Sequence, residues 1–353
     1  MPSTRACNKP HMHAQAVSSR TPTQPVLRIR GLCTEFPTPR GPLPAVQDLS
    51  LDVPAGECVG VVGESGSGKS VAFASVMGLV RTPGRVTAGQ VWLDDTDLRT
   101  LDEAAMRRIR GKQIAMTLQD ALTALNPSLT VGQQLVEVIL AHDDDVSTLP
   151  WWQRRRRART RALEMMALVG IPTPETRLQD YPHQFSGGMR QRIMIAIALA
   201  CKPRLLIADE PTTALDVTIQ AQVLELIASL RHSLGMSVVL ITHDLGVVAE
   251  RCDRVVVMYA GQVVESGTTA EVIGTPRHPY TRALLRATPR VEDLAQAVQP
   301  IAGTVPDMVD FPAQCHFMAR CPQRHDACRS RIALEFAPGM HQARCVLATG
   351  GRA

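Results

Sequence analysis

The segment Gly63–Ser70, with the sequence GESGSGKS, constrains the fold of this 353-residue chain more than any other feature. It matches the pattern G-x-x-x-x-G-K-[ST] in full. The glycines let backbone N–H groups wrap around phosphate oxygens, Lys69 supplies a positive charge, and the Ser70 hydroxyl can ligate Mg²⁺. The apolar run Glu57–Val62 before it and the helical pattern Lys69–Val80 after it predict a strand–loop–helix unit that binds ATP or GTP.

Apolar runs typical of buried parallel strands alternate with helical stretches along much of the chain. This alternation predicts an α/β fold with a parallel sheet. A long helical pattern covers about 135–177, and regular structure becomes sparse after about Gly267 because prolines are frequent there. The predicted strands cover Val26–Arg30, Ala45–Val53, Leu205–Ala208, Ser237–Thr242 and Arg254–Ala260.

Composition excludes several classes of protein. The apolar fraction of 45% supports a sizeable core, and the aromatic fraction of 3% argues against a single-strand nucleic-acid binder built on stacked rings. The longest uncharged apolar stretch, Ile193–Cys201, is far shorter than the roughly 20 residues that span a membrane. Residues 1–25 contain no Asp or Glu and no apolar signal segment; we interpret them as a disordered tail, with a transit peptide as the alternative.

Two further motifs carry chemistry. Asp209 and Glu210 end an apolar strand, where one carboxylate can hold Mg²⁺ through water and its neighbour can orient the attacking water. Ser186, Gly187 and Gly188 immediately precede a helical run and would present backbone donors to an anion. One nucleotide does not need two such loops, so the second loop predicts a site that faces another subunit's nucleotide.

With these motifs in this order, residues 26–268 resemble the ATP-binding subunits of ABC transporters. The resemblance implies the ABC cassette form of the P-loop NTPase fold, an α/β domain with a mixed sheet core and a helical subdomain at about 120–200. Gly63–Ser70 resembles the Walker A loop and 205–210 resembles the Walker B motif. Residues 186–188 resemble the ABC signature motif. Gln119 is placed like the Q-loop glutamine, Asp216 like the D-loop aspartate, and His243 like the switch histidine.

The resemblance implies a site residue by residue. Two cassettes would close head to tail over ATP and Mg²⁺, and closure would drive a membrane partner. Taken singly, Gln119, His243 and Phe36 also suit purely structural roles. The catalytic residues would be Glu210, His243 and Gln119; the nucleotide would contact Phe36, Gly63, Glu64, Ser65, Gly66, Ser67, Gly68, Lys69, Ser70, Ser186, Gly187, Gly188, Asp209 and Asp216; Mg²⁺ would contact Ser70, Gln119 and Asp209.

Residues 269–353 are similar to the C-terminal extension of the oligopeptide, dipeptide and nickel branch of ABC importers. The extension carries four cysteines with no C-x2-C pair: Cys315, Cys321, Cys328 and Cys345. Four thiolates can hold a 4Fe–4S cluster or Zn²⁺, or the thiols can stay unliganded. Some members of the branch carry a 4Fe–4S cluster there, and the resemblance favours that assignment.

The interpretation is an ATPase subunit that energises peptide import, attached to the cytoplasmic face of the plasma membrane. Its partners would be a second ATPase subunit, two permeases and, indirectly, a solute-binding protein. The alternatives are a soluble ABC ATPase acting on nucleic acid, a regulatory nucleotide-binding subunit, and import of nickel or glutathione by the same kind of complex. The basic run Arg154–Arg157 is interpreted as a solvated helix face.

Overall fold

Two sheets and a set of helices make up the protein in a computed structural model. The structure describes residues 24–119, 124–213, 215–288, 300–334, 337 and 339–348. Most of the predicted tail, residues 1–23, lies outside this part of the chain. The strands are β1 Pro25–Thr38, β2 Gly41–Pro54, β3 Cys58–Val62, β4 Arg85–Leu93, β5 Thr96–Asp97, β6 Ile114–Thr117, β7 Leu205–Asp209, β8 Ser237–Thr242, β9 Arg254–Tyr259, β10 Gln262–Thr268 and β11 Gln342–Ala343.

The helices alternate with strands in parts of the chain, but five of the described ones lie between β6 and β7. Short 3₁₀ turns cover 98–100, 182–184, 318–320 and 326–329. The α-helices are α1 Lys69–Val76, α2 Glu103–Ile109, α3 Val131–His142, α4 Asp144–Ser147, α5 Trp151–Leu168, α6 Pro174–Arg177, α7 Gly187–Leu199, α8 Val217–Leu234, α9 Leu245–Arg251, α10 Thr269–Gly274 and α11 Pro279–Ala287.

The larger sheet has seven strands in the order β11-β10-β9-β3-β8-β7-β6. Its centre is parallel, because β3 pairs in parallel with both β8 and β9, and β7 with both β6 and β8. The edge strands β10 and β11 are antiparallel, so the sheet is mixed as predicted. All residues of β3, β7 and β8 are buried, which explains their near-continuous apolar sequences.

The smaller sheet is antiparallel, with the order β2-β1-β4-β5. Strand β1 pairs with both β2 and β4, and its apolar side chains Leu27, Ile29 and Leu32 are fully buried. They pack in one cluster with Val61 of β3 and Phe73 of α1. This cluster therefore ties the antiparallel sheet to the strand and helix on either side of the phosphate loop.

The long helical pattern predicted at about 135–177 is divided in the structure. Helix α3 starts one turn earlier, at Val131, where Thr130 and Gln133 form a capping box. The pattern is interrupted before α5 by Pro150 and before α6 by Thr173, whose backbone has a positive φ. Helix α1 also ends before the predicted Val80, because Gly78 adopts a left-handed conformation. The bounds of the helical subdomain stay a prediction.

The extension packs onto the cassette. Strand β11 pairs with β10, with Ala343 opposite Glu265. Tyr280 and Phe317 lie in the same buried cluster as Tyr259 of β9, with ring centroids 4.6 and 5.2 Å from the tyrosine ring. The predicted boundary at 268/269 falls at the end of β10 and stays a prediction.

No helix in the described ranges is both long and apolar enough to cross a membrane.

Candidate functional site

The phosphate loop connects β3 to α1, at the carboxyl edge of the parallel strands. Gly68 has a φ of 94° and immediately precedes α1. A Cβ at Gly63 would lie 2.1 Å from the carbonyl oxygen of Met258, and one at Gly68 would lie 2.4 Å from that of Ala45. Both positions need glycine because neighbouring backbone leaves no space for a side chain. The loop is held further by Gly261, whose amide donates to the Ser67 carbonyl at 3.0 Å.

The Lys69 ammonium group lies inside the loop. Its Nζ atom donates to the carbonyl oxygens of Gly63 and Glu64 at 2.7 and 2.9 Å, and to the Ser67 hydroxyl at 3.3 Å. Burial lowers the pKa of Lys69, and the nearby carboxylates, led by Glu210, oppose this shift. These contacts hold the ammonium group beneath the loop. When a polyphosphate binds, its oxygens can replace the carbonyl oxygens as partners of the ammonium group.

Ser70 and Asp209 lie side by side, although 139 residues separate them in the sequence. The Ser70 hydroxyl donates to Oδ1 of Asp209 at 2.9 Å. Asp209 is buried at the end of β7, and burial raises its pKa while the Ser70 hydrogen bond lowers it. A hydroxyl and a carboxylate at this distance are the oxygen ligands that Mg²⁺ prefers, so the donor set fits the ion.

Glu210 follows Asp209 in a left-handed conformation, with a φ of 43°. Such a conformation is costly for a residue with a Cβ and persists only when the surrounding structure holds it. Its Oε2 atom accepts hydrogen bonds from Gln119 Nε2 at 3.0 Å and Thr213 Oγ1 at 2.9 Å. His243 Nδ1 lies 3.8 Å from Oε1. Three of the predicted residues therefore meet at one carboxylate.

Thr213 is a functional candidate that the sequence motifs did not single out. It lies in the segment that resembles the D-loop, three residues before Asp216. Asp216 caps α8 through a hydrogen bond that its carboxylate accepts from the Ile219 amide at 2.9 Å. The short spacing from Glu210 was the available signal, because a side chain three residues further along a turn can reach back to a carboxylate.

The second glycine loop lies at the start of α7. Ser186 caps this helix by accepting from the Met189 amide. A Cβ at Gly188 would lie 2.5 Å from Cγ2 of Ile219, so this loop packs against the start of α8. Within the described ranges no hydrogen bond or ion pair joins 186–188 to the chain's own phosphate loop.

Phe36 lies on β1 opposite Leu43 and is half-buried. Its ring packs on Gly84, where a Cβ would lie 2.3 Å from Cε1. Leu43 comes two residues before Ala45, whose carbonyl approaches Gly68 of the phosphate loop. The ring is therefore on the hairpin that reaches the loop, and its contact with a nucleotide stays a prediction.

The extension also contacts the phosphate loop, which the sequence analysis did not predict. Arg320 forms a two-pronged ion pair with Glu64, at 2.7 and 3.0 Å. The Tyr280 hydroxyl accepts a hydrogen bond from the Glu64 amide at 2.9 Å. No sequence pattern links residues separated by 256 and 216 positions.

The structure does not show a formed site for the expected 4Fe–4S cluster at the four extension cysteines in the described ranges. Cys315 lies near the other three, and its amide donates to the Cys328 carbonyl at 2.9 Å. However, no group of three or more His, Cys, Asp or Glu side chains is placed to hold a metal ion among the residues that the structure describes. Burial raises the pKa of Cys315 to about 11 and also raises that of Cys321. Burial alone favours the neutral thiol, so binding of a metal would require these thiols to lose their protons.

A glycine-rich loop between a parallel strand and a helix, facing a carboxylate at the end of another strand of the same parallel sheet, defines the P-loop class of nucleotide-binding proteins. Residues 46–213 match the family model described as ABC transporter. Residues 264–328 match the one described as oligopeptide/dipeptide transporter, C-terminal region. The second match includes both Tyr280 and Arg320.

The similarity to curated proteins extends over most of this chain and over most of each of those proteins. A dipeptide transport ATP-binding protein of Haemophilus influenzae is 47% identical over 304 residues, 86% of this chain and 90% of that protein. One of Bacillus subtilis is 50% identical over 86% of this chain and 88% of its own length. Among solved structures, the ATP-binding cassette MJ0796, a dimer bound to ADP and phosphate, has a TM-score of 0.59 and 27% identity, covering 69% of this chain and 98% of that one.

The chain belongs to the ABC transporter family and carries the family's ATPase cassette. The predicted family and fold class are thereby confirmed.

Proposed function

We propose that this protein is the ATP-hydrolysing subunit of a membrane complex that imports peptides. The observation that carries the proposal is the convergence of the phosphate loop with Asp209 and Glu210 at one edge of the parallel sheet. A P-loop lysine, a serine hydroxyl and two successive carboxylates supply the positioning and the charge stabilisation that phosphoryl transfer to water requires.

The phosphate loop and its neighbours would hold the nucleotide. Backbone amides of 65–70 and the ammonium of Lys69 would bind the phosphates, while Ser70 and Asp209 would ligate Mg²⁺, with Gln119 in reach of the same edge. Bound Mg²⁺ would neutralise charge that develops on the phosphate oxygens. The ring of Phe36 would stack on the base.

Glu210 is the proposed general base. Its carboxylate would take a proton from the water that attacks the terminal phosphate, and a base in that role contributes about 10²–10⁴-fold to the rate. Gln119 and Thr213 hold Oε2, so Oε1 stays directed towards His243 and the water. His243 is exposed and would contact the terminal phosphate.

A second cassette would complete each site. Ser186, Gly187 and Gly188 would bind the nucleotide held by a partner cassette, with Asp216 at the same contact. The dimeric state of the ATP-binding cassette MJ0796 supports this arrangement. The partner would be a paralogue or a second copy, and two permeases would place the subunit at the cytoplasmic face of the plasma membrane.

Peptides are the proposed solute because the similar proteins are named for dipeptide or oligopeptide transport. The match of residues 264–328 to an oligopeptide/dipeptide transporter region supports the same class. Neither observation favours action on nucleic acid, a purely regulatory subunit, or import of nickel or glutathione.

Uptake in cells that lack the gene tests the solute. We expect loss of labelled dipeptide uptake, restored by the wild-type chain and not by Lys69→Ala, because that variant lacks the ammonium group for the phosphates. Uptake of nickel and glutathione in the same cells is the control. Unchanged dipeptide uptake together with a loss of nickel or glutathione uptake would show that the solute is nickel or glutathione and not a peptide.

A 4Fe–4S cluster on Cys315, Cys321, Cys328 and Cys345 is a separate proposal, supported by the proximity of the other three cysteines to Cys315 and by the resemblance. Iron, sulfide and zinc measured after anaerobic purification test it. About four irons and four sulfides per chain, lost in Cys321→Ser, would support the cluster. Stoichiometric zinc, or no metal, would reject it.

A further inference from the structure

Arg320 is buried between the extension and the phosphate loop. Its side chain is 5% exposed, and its Nη1 and Nη2 atoms each donate to one carboxylate oxygen of Glu64. The remaining donors bond to the carbonyl oxygens of Ala302 and Ile301 at 2.9 and 3.2 Å and to the Tyr259 hydroxyl at 3.4 Å. Because all of its N–H donor groups are hydrogen-bonded, the guanidinium is held in one position. It therefore also fixes the position of the Glu64 carboxylate.

Aromatic rings hold Arg320 in place as well. Its guanidinium carbon lies 5.7 Å from the centre of the Tyr259 ring and 6.0 Å from that of Phe317. Phe317 lies three residues before Arg320 on the extension, whereas Tyr259 belongs to β9 of the cassette. The arginine is therefore anchored to both parts of the chain.

Tyr280 adds a second contact to the same loop residue. Its hydroxyl accepts the Glu64 amide hydrogen, and its ring is fully buried against Tyr259. The loop residue is thus held by its side chain and by its backbone, and both partners come from beyond residue 268. The extension determines where this part of the loop lies.

We propose that Arg320 and Tyr280 are positioning residues of the ATP site: through Glu64, the C-terminal extension neutralises and orients the phosphate loop for nucleotide binding. This inference rests on the proposed ATPase function and assigns part of the protein's affinity for nucleotide to the extension.

The charge of Glu64 gives the physical reason. The loop binds a polyanion, and an unpaired carboxylate one residue beyond Gly63 would repel it. This repulsion is only partly screened beside buried protein groups. The Arg320 pair cancels this repulsion, so its loss would weaken nucleotide binding roughly tenfold.

Binding of MgATP to the purified full-length chain, measured by calorimetry, tests the proposal. We expect Arg320→Gln to raise the Kd roughly tenfold, a change within the usual range of coupling between sites. The double variant Glu64→Gln with Arg320→Gln should return the Kd close to the wild-type value, because the uncompensated charge has been removed. A merely structural arginine would show no such rescue.

Arg329→Gln is the matched control, since Arg329 is an exposed extension arginine whose ion pair is with Asp326. Its Kd should stay at the wild-type value. An Arg320→Gln chain that binds MgATP as tightly as this control would overturn the proposal, as would a double variant as weak as Arg320→Gln alone.

Tyr280→Phe provides a second test if Arg320→Gln fails to fold, because it retains the buried ring and removes only the hydroxyl. A threefold or larger rise in Kd is expected, since the Glu64 amide loses its partner. An unchanged Kd would overturn the proposal. The proposed function fails on a different readout, namely absence of ATP hydrolysis or of peptide uptake by the wild-type chain, so the two failures are distinguishable.

Discussion

Gln119 donates a hydrogen bond from Nε2 to Oε2 of Glu210 at 3.0 Å, across 91 positions of sequence. Thr213 donates to the same oxygen. Two neutral donors on one carboxylate oxygen fix the orientation of the side chain without neutralising its charge. The other oxygen remains available to accept a proton from water.

Glu210→Gln should bind MgATP with little change and hydrolyse it at least about 100-fold more slowly, because an amide cannot accept the proton. Phosphate release by the purified chain or its complex measures the rate. Glu225→Gln, an exposed glutamate of α8 paired with Arg251, is the control and should keep wild-type turnover. Normal turnover in Glu210→Gln would remove the proposed base.

Gly188→Ala should lower ATPase activity about tenfold or more while leaving nucleotide binding by the single chain intact. The new methyl group would lie 2.5 Å from Cγ2 of Ile219, so the second glycine loop has to shift. Gly274→Ala is the control, because a Cβ there meets nothing within 4 Å. Equal ATPase rates for the two variants would contradict a role of the second loop in a shared site.

Glu265→Ala should destabilise the protein by about 3 kcal/mol or more, since it removes a fully buried carboxylate. That carboxylate accepts from the amides of Arg277 and His278 at 2.6 and 2.9 Å and from His341 Nε2 at 2.8 Å. Urea unfolding measures the change. Glu225→Ala, which breaks a surface pair, should cost less than about 1 kcal/mol. Similar costs would mean that Glu265 does not anchor the extension.

His278 should make stability depend on pH. Burial lowers its pKa from 6.5 to about 3 in the folded chain, and Arg282 adds to the shift. At pH values between about 3 and 6.5 the unfolded chain binds a proton at His278 that the folded chain does not bind. The free energy of unfolding therefore falls as the pH falls, by about 1.4 kcal/mol per pH unit.

The variant His278→Asn isolates this contribution. Its side-chain oxygen can still accept from the Tyr280 amide, as His278 Nδ1 does at 3.0 Å, and it does not titrate. Urea unfolding at about pH 7 and about pH 5 should show the wild type losing roughly 2 kcal/mol more than the variant. Equal losses would contradict a neutral, buried His278.

The sequence predicted those parts of the protein that local patterns determine. Ser237–Thr242 is a strand with the predicted bounds, because an uninterrupted apolar run suits a strand that is buried on both faces. The pairing of Ser70 with Asp209 could be anticipated, since the carboxyl ends of the parallel strands of one sheet lie at the same edge. In both cases each segment carries its own local pattern, even where the two segments are far apart in the sequence.

Other features depend on contacts that no local pattern records. The predicted helical stretch was divided by Thr173, whose left-handed backbone is not evident from its residue type. The pair between Arg320 and Glu64 joins two segments that approach only after the extension has folded back. The cysteine spacing predicted metal ligands, but the described residues contain no formed metal site, because the relative positions of the thiols depend on how the folded chain packs.

Strand β11 covers part of the open side of β10, where Ala343 and Gln342 lie opposite Glu265 and Ser266. Open β-edges with apolar faces tend to pair with other chains and aggregate. A cassette truncated after Thr268 would expose this edge of β10, together with the aromatic surface of Tyr259 that Tyr280 and Phe317 now cover. The extension therefore also protects the solubility of the cassette, and attempts to produce residues 26–268 alone should yield aggregated protein.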